Sequence, residues 1–119
     1  MRVVRGGSRT TYTGRFTGPA ELEMLAEAPD ASVPDVARVH FGAGAVTHWH
    51  THPGGQMLYV LEGEARVGTD DEHAQLSPGD LVVSPPHERH WHGAATGTAV
   101  VLALTWGTTE WEDVAPEAD

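Results

Sequence analysis

Residues 50–56 read His-Thr-His-Pro-Gly-Gly-Gln. Successive side chains of a β-strand point to opposite faces, so His50 and His52 share a face and lie roughly 7 Å apart along the chain. The Pro-Gly-Gly sequence that follows allows a tight reversal, which returns Gln56 at the start of the next strand to the side of the pair. The stretch therefore predicts three metal-binding side chains that converge on one cavity.

A second histidine-rich stretch supplies a fourth candidate ligand. His90 follows Pro85-Pro86 and belongs to a later predicted strand, and it joins the site if that strand lines the same cavity. Imidazole nitrogen and amide oxygen suit borderline divalent ions such as Mn, Fe, Co, Ni and Zn. These residues favour a site for one divalent metal ion per chain at His50, His52 and Gln56, with His90 as the fourth ligand if its strand lines the same cavity.

Length and composition restrict the classes of protein to consider. With 119 residues the chain has room for one domain, and the absence of cysteine excludes disulfides and thiolate ligands. Any metal must therefore bind to nitrogen and oxygen. The 17 acidic and 7 basic residues give a net charge of −10, which argues against nucleic acid and anionic membrane surfaces as partners.

The sequence carries no signal of export or membrane insertion. Residues 1–7 read Met-Arg-Val-Val-Arg-Gly-Gly, without the apolar stretch of a signal peptide. No run reaches the roughly 18 apolar residues of a membrane span. A cytoplasmic location is the expectation.

Short strands are predicted throughout, because glycine and proline interrupt almost every window long enough for a helix. Turn signals separate these strands, and such spacing is typical of a sandwich or barrel. The predicted strands are Glu21–Leu25, Asp35–Phe41, Val46–Thr51, Gln56–Leu61, Glu64–Gly68, His73–Leu76, Asp80–Ser84, Arg89–Gly93 and Thr98–Trp106.

The ends of the chain and one apolar strand indicate self-association. Residues 1–17 and 110–119 are expected to form extended arms. Thr98–Trp106 is nearly all apolar, which suits a strand that is covered on both faces or lies at a subunit contact. We expect a homodimer, because the arm and this strand offer more apolar surface than a small barrel can cover.

Two spacings resemble the paired motifs of the cupins. The first motif places two histidines, an acidic residue and flanking glycines at fixed intervals, and this chain has Gln56 where glutamate is usual. In the second motif His87 stands in place of glycine and Ala94 in place of asparagine. The matching positions are Gly44, His50, His52, Gln56 and Gly63, followed by Gly79, Pro85 and His90.

This resemblance, which spans about residues 41–94, implies a fold. The expected structure is all-β, a double-sheet jelly-roll β-barrel, with residues 1–119 forming a single cupin domain. It also implies that the metal lies inside the barrel.

Within the cupins, residues 50–56 and 90–95 look like the small manganese-dependent hydroxynitrile lyases. The terminal Glu-Trp-Glu-Asp-Val of residues 110–114 is similar to the ending of that group. The resemblance implies a metal, with Mn or Fe favoured, that is held by three histidines and one glutamine and assists cleavage of a cyanohydrin to an aldehyde and cyanide. The group has a further histidine on its last long strand, where this chain has Leu102.

Glutamine in place of glutamate leaves the charge of the ion uncompensated by protein, which makes the metal a stronger Lewis acid. His92 shares the face of His90 and is a candidate catalytic acid or base; the alternative is a residue that only orients a ligand. Ala37, Val39 and Phe41 are predicted to line an apolar pocket for a small organic substrate.

Three functions compete with lyase chemistry. An Fe(II) dioxygenase and a cupin that binds metal or ligand without turnover both remain open. A sugar-phosphate isomerase ranks low, because no basic cluster is available to hold a phosphate. Loss of metal ligands is common in binding modules, and the presence of all four here favours an enzyme.

Overall fold

The computed structural model describes residues 1–117, and within this range the regular structure is all-β. This confirms the predicted fold class, and no helix is available that could span a membrane within the same range. The strands are β1 (Arg9–Tyr12), β2 (Ala20–Ala26), β3 (Asp35–Phe41), β4 (His50–Thr51), β5 (Gln56–Gly68), β6 (His73–Leu76), β7 (Leu81–Ser84), β8 (Trp91–Thr105) and β9 (Glu110–Trp111).

Seven strands form one curved antiparallel sheet in the order β1-β2-β3-β8-β5-β6, with β7 also paired to β5. The long strands β5 and β8 pair along almost their whole length. In the sheet they lie between β3 on one side and β6 and β7 on the other. The short strands β4 and β9 form a second sheet of two strands. This second sheet carries His50.

Two pairs of predicted strands turn out to be single strands. The predicted Gln56–Leu61 and Glu64–Gly68 are both parts of β5. The predicted Arg89–Gly93 and Thr98–Trp106 both fall largely within β8. A bulge lets each strand bend without ending its ladder of hydrogen bonds. At this bend Gly63 has a φ of 73°, and a Cβ there would lie 2.0 Å from the carbonyl oxygen of Thr98.

The terminal segments contribute strands to the barrel. β1 pairs with β2, Phe16 forms a bridge to Thr47, and β9 pairs with β4. The predicted strand Val46–Thr51 is a true strand only at β4, because its earlier residues make single bridges to different partners. Ala118 and Asp119, the last residues of the predicted second arm, lie outside the described residues.

The core consists of the inward side chains of β3, β5 and β8, and many of them are small. Ala37, Ala99 and Ala103 are each at most 6 % exposed, alongside larger residues such as Leu58 and Val60. Ala37 and Ala103 lie side by side on the neighbouring strands β3 and β8, and both line the cavity that His50 and His52 also line.

Candidate metal centre

Three histidines, His50, His52 and His90, come together in the folded chain, as the sequence predicted. His50 and His90 bridge through their backbones, with reciprocal N–H to O distances of 3.0 Å, and His52 follows on the same face. All three are at most 3 % exposed. One ring nitrogen from each lies within 4.8 Å of the others, so the three could hold one metal ion.

Backbone carbonyls fix the tautomers of two of these rings. The Nδ1–H group of His50 donates to the carbonyl oxygen of His48 at 2.8 Å, and that of His90 donates to the carbonyl oxygen of Glu88 at 3.1 Å. Burial lowers the pKa of His50 to about 3 and also lowers the pKa of His90. Both rings are therefore neutral near pH 7, and each presents the lone pair of Nε2 to the centre.

His52 has a side-chain hydroxyl beside its Nδ1 atom, where His50 and His90 have backbone carbonyls. Its Nδ1 lies 3.0 Å from the hydroxyl oxygen of Thr109, while its Nε2 is buried without any hydrogen-bond partner. Burial lowers the pKa of His52 to about 4. An unpartnered, buried and neutral ring nitrogen beside two others is what a metal site requires, because the ion supplies the missing partner.

Gln56 adds an oxygen to this group. Its side-chain Nε2 donates to the hydroxyl of Thr105 at 2.9 Å, so Oε1 faces the Nε2 atom of His90 at 3.1 Å. Both of these atoms are hydrogen-bond acceptors once His90 donates through Nδ1, and two acceptors at this distance repel unless a cation lies beside them. The residues present thus fit a divalent ion, and the four donor groups carry no charge.

His92 lies against the histidine cluster without belonging to it. Its ring centroid is 5.3 Å from that of His50 and 5.7 Å from that of Phe41, which it meets edge-on. Its Nδ1 is buried and has no hydrogen-bond partner. Burial, followed by the neighbouring histidines, holds the pKa of His92 well below 6.5, so this ring is a neutral base near pH 7.

A cavity of about 130 Å³ opens from the histidines. Its polar wall residues, besides the histidines and Gln56, are Asp35, Thr47, Thr105 and Thr109. Its apolar wall includes the predicted Ala37 and Val39, whereas Phe41 packs edge-on against His92. The remaining apolar or aromatic wall residues are Tyr12, Phe16, Leu22, Met24, Ala103 and Trp111.

Sequence reasoning missed ten of the residues that line the cavity, and four of these ten come from the terminal segments. Tyr12 and Phe16 come from the N-terminal segment, and Thr109 and Trp111 from the segment that ends in β9. The ring of Trp111 lies 4.6 Å from that of His50. Aromatic residues within otherwise polar terminal segments were the available signal that these segments pack on the barrel.

Leu102 has no place in the cavity wall. It pairs with Arg38 and Tyr59, on the outer side of the sheet, while its neighbours Val101 and Ala103 are buried. The β8 residue that faces the cavity at this level is Ala103. A histidine at position 102 would therefore point away from the candidate metal centre of this chain.

Comparison with known proteins identifies the family of this chain. The model of the cupin domain family, Cupin_2, matches residues 37–107. The (R)-mandelonitrile lyase of Granulicella tundricola is 42 % identical over 106 residues, which cover 84 % of this chain and 79 % of that protein.

Solved structures agree with the fold. A cupin-like protein from Thermotoga maritima is 33 % identical, with a TM-score of 0.83, over 98 % of this chain and 92 % of its own. A second protein of that organism, predicted to be an oxalate decarboxylase, is 20 % identical with a TM-score of 0.79, over 90 % of this chain and 100 % of its own. At that identity it bears on the fold alone. With the family match, the strand order and the histidine cluster in agreement, the chain belongs to the cupin family.

Proposed function

We propose that this protein is a metal-dependent lyase that cleaves a small cyanohydrin into an aldehyde and hydrogen cyanide. The observation that carries the proposal is the uncharged donor set of His50, His52, His90 and Gln56 at the end of a small, largely apolar cavity. The (R)-mandelonitrile lyase of Granulicella tundricola, which is 42 % identical, supports the same chemistry.

A divalent ion held by these residues would supply a Lewis acid that stabilises negative charge developing on the substrate. The residues of the chain have separate tasks. His92 accepts the hydroxyl proton while the bond between the carbinol carbon and the nitrile carbon breaks. The electron pair of that bond leaves with cyanide, the electron pair of the O–H bond completes the carbonyl group, and His92 returns the proton to cyanide.

The cavity limits the size of the substrate. An apolar cavity of about 150 Å³ accommodates benzene, and the cavity here is about 130 Å³. Ala37 and Ala103 leave room for one ring or a short branched chain beside the apolar side chains of Leu22 and Met24. The apolar group of the substrate therefore lies away from the histidines, and its oxygen faces them.

Racemic mandelonitrile, with release of benzaldehyde followed by its absorbance, tests the proposal. Activity should persist without oxygen and with redox-inert zinc or with manganese, because no electrons are exchanged. A His92→Ala variant should retain the metal and lose about 10²- to 10⁴-fold in kcat. His73→Ala, at an exposed position on β6, is the matched control and should behave like the wild type.

The main alternative is an Fe(II) dioxygenase. Turnover that stops under anaerobic conditions and returns only with ferrous iron and oxygen would replace the lyase by that alternative. If the protein binds cyanohydrins but cleaves none of them, the result would favour a non-catalytic cupin. Metal analysis of the wild type beside a His50→Ala/His52→Ala double variant tests the ligand set itself, since the double variant should lose the ion.

We also propose that the protein is a homodimer. The outer face of β5 and β7 exposes Tyr59, Leu61, Leu81 and Val83, each between 37 and 60 % accessible. Tyr59 pairs with Leu81, so these side chains form one continuous uncharged surface. A chain with a net charge of −10 repels its copies elsewhere, which makes an uncharged face the favourable place for a second copy.

A further inference from the structure

We infer that Thr109 is a positioning residue for His52, and that the segment which carries it is a working part of the metal centre. The inference rests on the proposed metal site, and it adds a residue outside both cupin motifs. The observation behind it is the 3.0 Å contact between the Thr109 hydroxyl oxygen and Nδ1 of His52, which joins residues 57 positions apart in the chain.

His52 differs from the other two histidines in what fixes its ring. The Nδ1 atoms of His50 and His90 face carbonyl oxygens two residues earlier, and a carbonyl can only accept. A hydroxyl can donate or accept, so the Thr109 contact is compatible with either tautomer of His52. Only the form in which Nδ1–H donates to Thr109 leaves Nε2 with a lone pair for a cation.

The backbone around Thr109 is anchored on both sides. On one side the N–H group of Trp106 donates to the carbonyl of Gly55 at 3.1 Å, and the carbonyl of Trp106 accepts from Gly54 at 3.0 Å. On the other side β9 pairs with β4, with Trp111 opposite His50. The hydroxyl of Thr109 is therefore held at a fixed place beside His52 instead of reaching it from a mobile tail.

The chemistry at the centre selects the tautomer. Nε2 of His52 is buried and makes no hydrogen bond with the described residues, so a proton on that atom would have no acceptor at hydrogen-bond distance. Placing the proton on Nδ1 pairs it with Thr109 and directs the free lone pair toward the other donors. Loss of the hydroxyl removes this preference, and the ring can then rotate or change tautomer.

The test compares Thr109→Val, Thr109→Ala and Thr109→Ser with the wild type and with Thr108→Val, whose side chain is exposed. Zinc affinity is measured by competition with a chromophoric chelator. Loss of the hydroxyl should weaken zinc binding by about 10- to 100-fold, whereas Thr109→Ser and Thr108→Val should stay close to the wild type. The Ala variant serves if the bulk of valine prevents folding.

A second readout needs no metal and no activity. Long-range ¹⁵N–¹H correlation spectra of the metal-free protein should show the Nδ1–H form of His52 in the wild type and a mixture in Thr109→Val. Unchanged zinc affinity and an unchanged tautomer in both hydroxyl-free variants would overturn the inference. If the variants lose zinc affinity but the wild type cleaves no cyanohydrin, the positioning role holds and the proposed lyase activity fails.

Discussion

Among the four candidate metal ligands, Gln56 is the one that departs from the motif this chain resembles, and its surroundings show how the amide is accommodated. Its NH₂ group donates to Thr105, whose hydroxyl can equally donate to a carboxylate. A glutamate at this position can therefore keep the same contact. The difference between the two residues is charge.

Gln56→Glu should retain the metal, bind it more tightly and lower kcat for cyanohydrin cleavage. The anionic oxygen offsets part of the charge that stabilises the leaving cyanide. Metal affinity and kcat measured on the same preparations check this, with Gln75→Glu on exposed β6 as the matched control. A variant that loses the metal, or that cleaves faster, would contradict the electrostatic argument.

At the scale of elements, the turn between β4 and β5 determines where Gln56 lies. Gly55 has a φ of 89°, and a Cβ there would lie 2.7 Å from the carbonyl oxygen of Ser84. A Cβ added at Gly54 would lie 2.5 Å from the Cβ of Trp106. The turn therefore packs against two other segments at once. A side chain at Gly55 is opposed by both backbone conformation and space.

Gly55→Ala should lower the free energy of unfolding by about 1–3 kcal/mol and weaken metal binding, because the turn must shift and Gln56 with it. Gly97→Ala is the control, since a Cβ there meets nothing within 4 Å. Denaturant unfolding of both variants measures the effect. Equal midpoints for the two would show that the turn tolerates a side chain.

For the whole molecule, burial of several neutral histidines couples stability to pH. The pKa of His50 falls to about 3 and that of His52 to about 4, from 6.5. Below pH 6.5 the unfolded chain therefore binds protons that the folded chain does not. The free energy of unfolding must then decrease as the pH falls toward those folded-state values, and it levels off below them.

Metal-free protein should lose stability between pH 6.5 and 5 by up to about 1.4 kcal/mol per pH unit for each such histidine. Denaturant unfolding at several pH values measures the slope. His92→Phe should show a shallower slope, because it removes a buried ring whose pKa is held well below 6.5. Exposed His73→Gln should leave the slope unchanged, and identical slopes in all three proteins would refute the linkage.

The proposed dimer face gives a second prediction for the whole molecule. Light scattering should find twice the chain mass of 12.7 kDa at micromolar concentration. Leu81→Glu/Val83→Glu should give the monomer, because two charges would be buried against a second copy. Val33→Glu, at an exposed position between β2 and β3, should remain a dimer. A monomeric wild type would exclude the interface.

The sequence by itself was sufficient for the fold class and for the histidine cluster. His50 and His52 share a face because strand alternation is local, and Gln56 returns to them because the glycines after Pro53 permit the turn. The limits of β3 and β6 were also predicted correctly, since each is a short uninterrupted run. These features depend on residues close together in the chain, which is why a pattern can reveal them.

The tertiary structure alone decided which further residues reach the site. Counting alternate positions from His92 along β8 predicts that Leu102 points inward. However, four residues of β8 separate Ala94 from Ala99, whereas only Glu64 separates their partners Ala65 and Gly63, and the inward face changes to Val101 and Ala103. Thr109 and His52 are in contact although 57 positions separate them in the chain, and no local sequence pattern predicts this contact. Bulges and long-range packing set these contacts, because they depend on how strands bend and close the barrel.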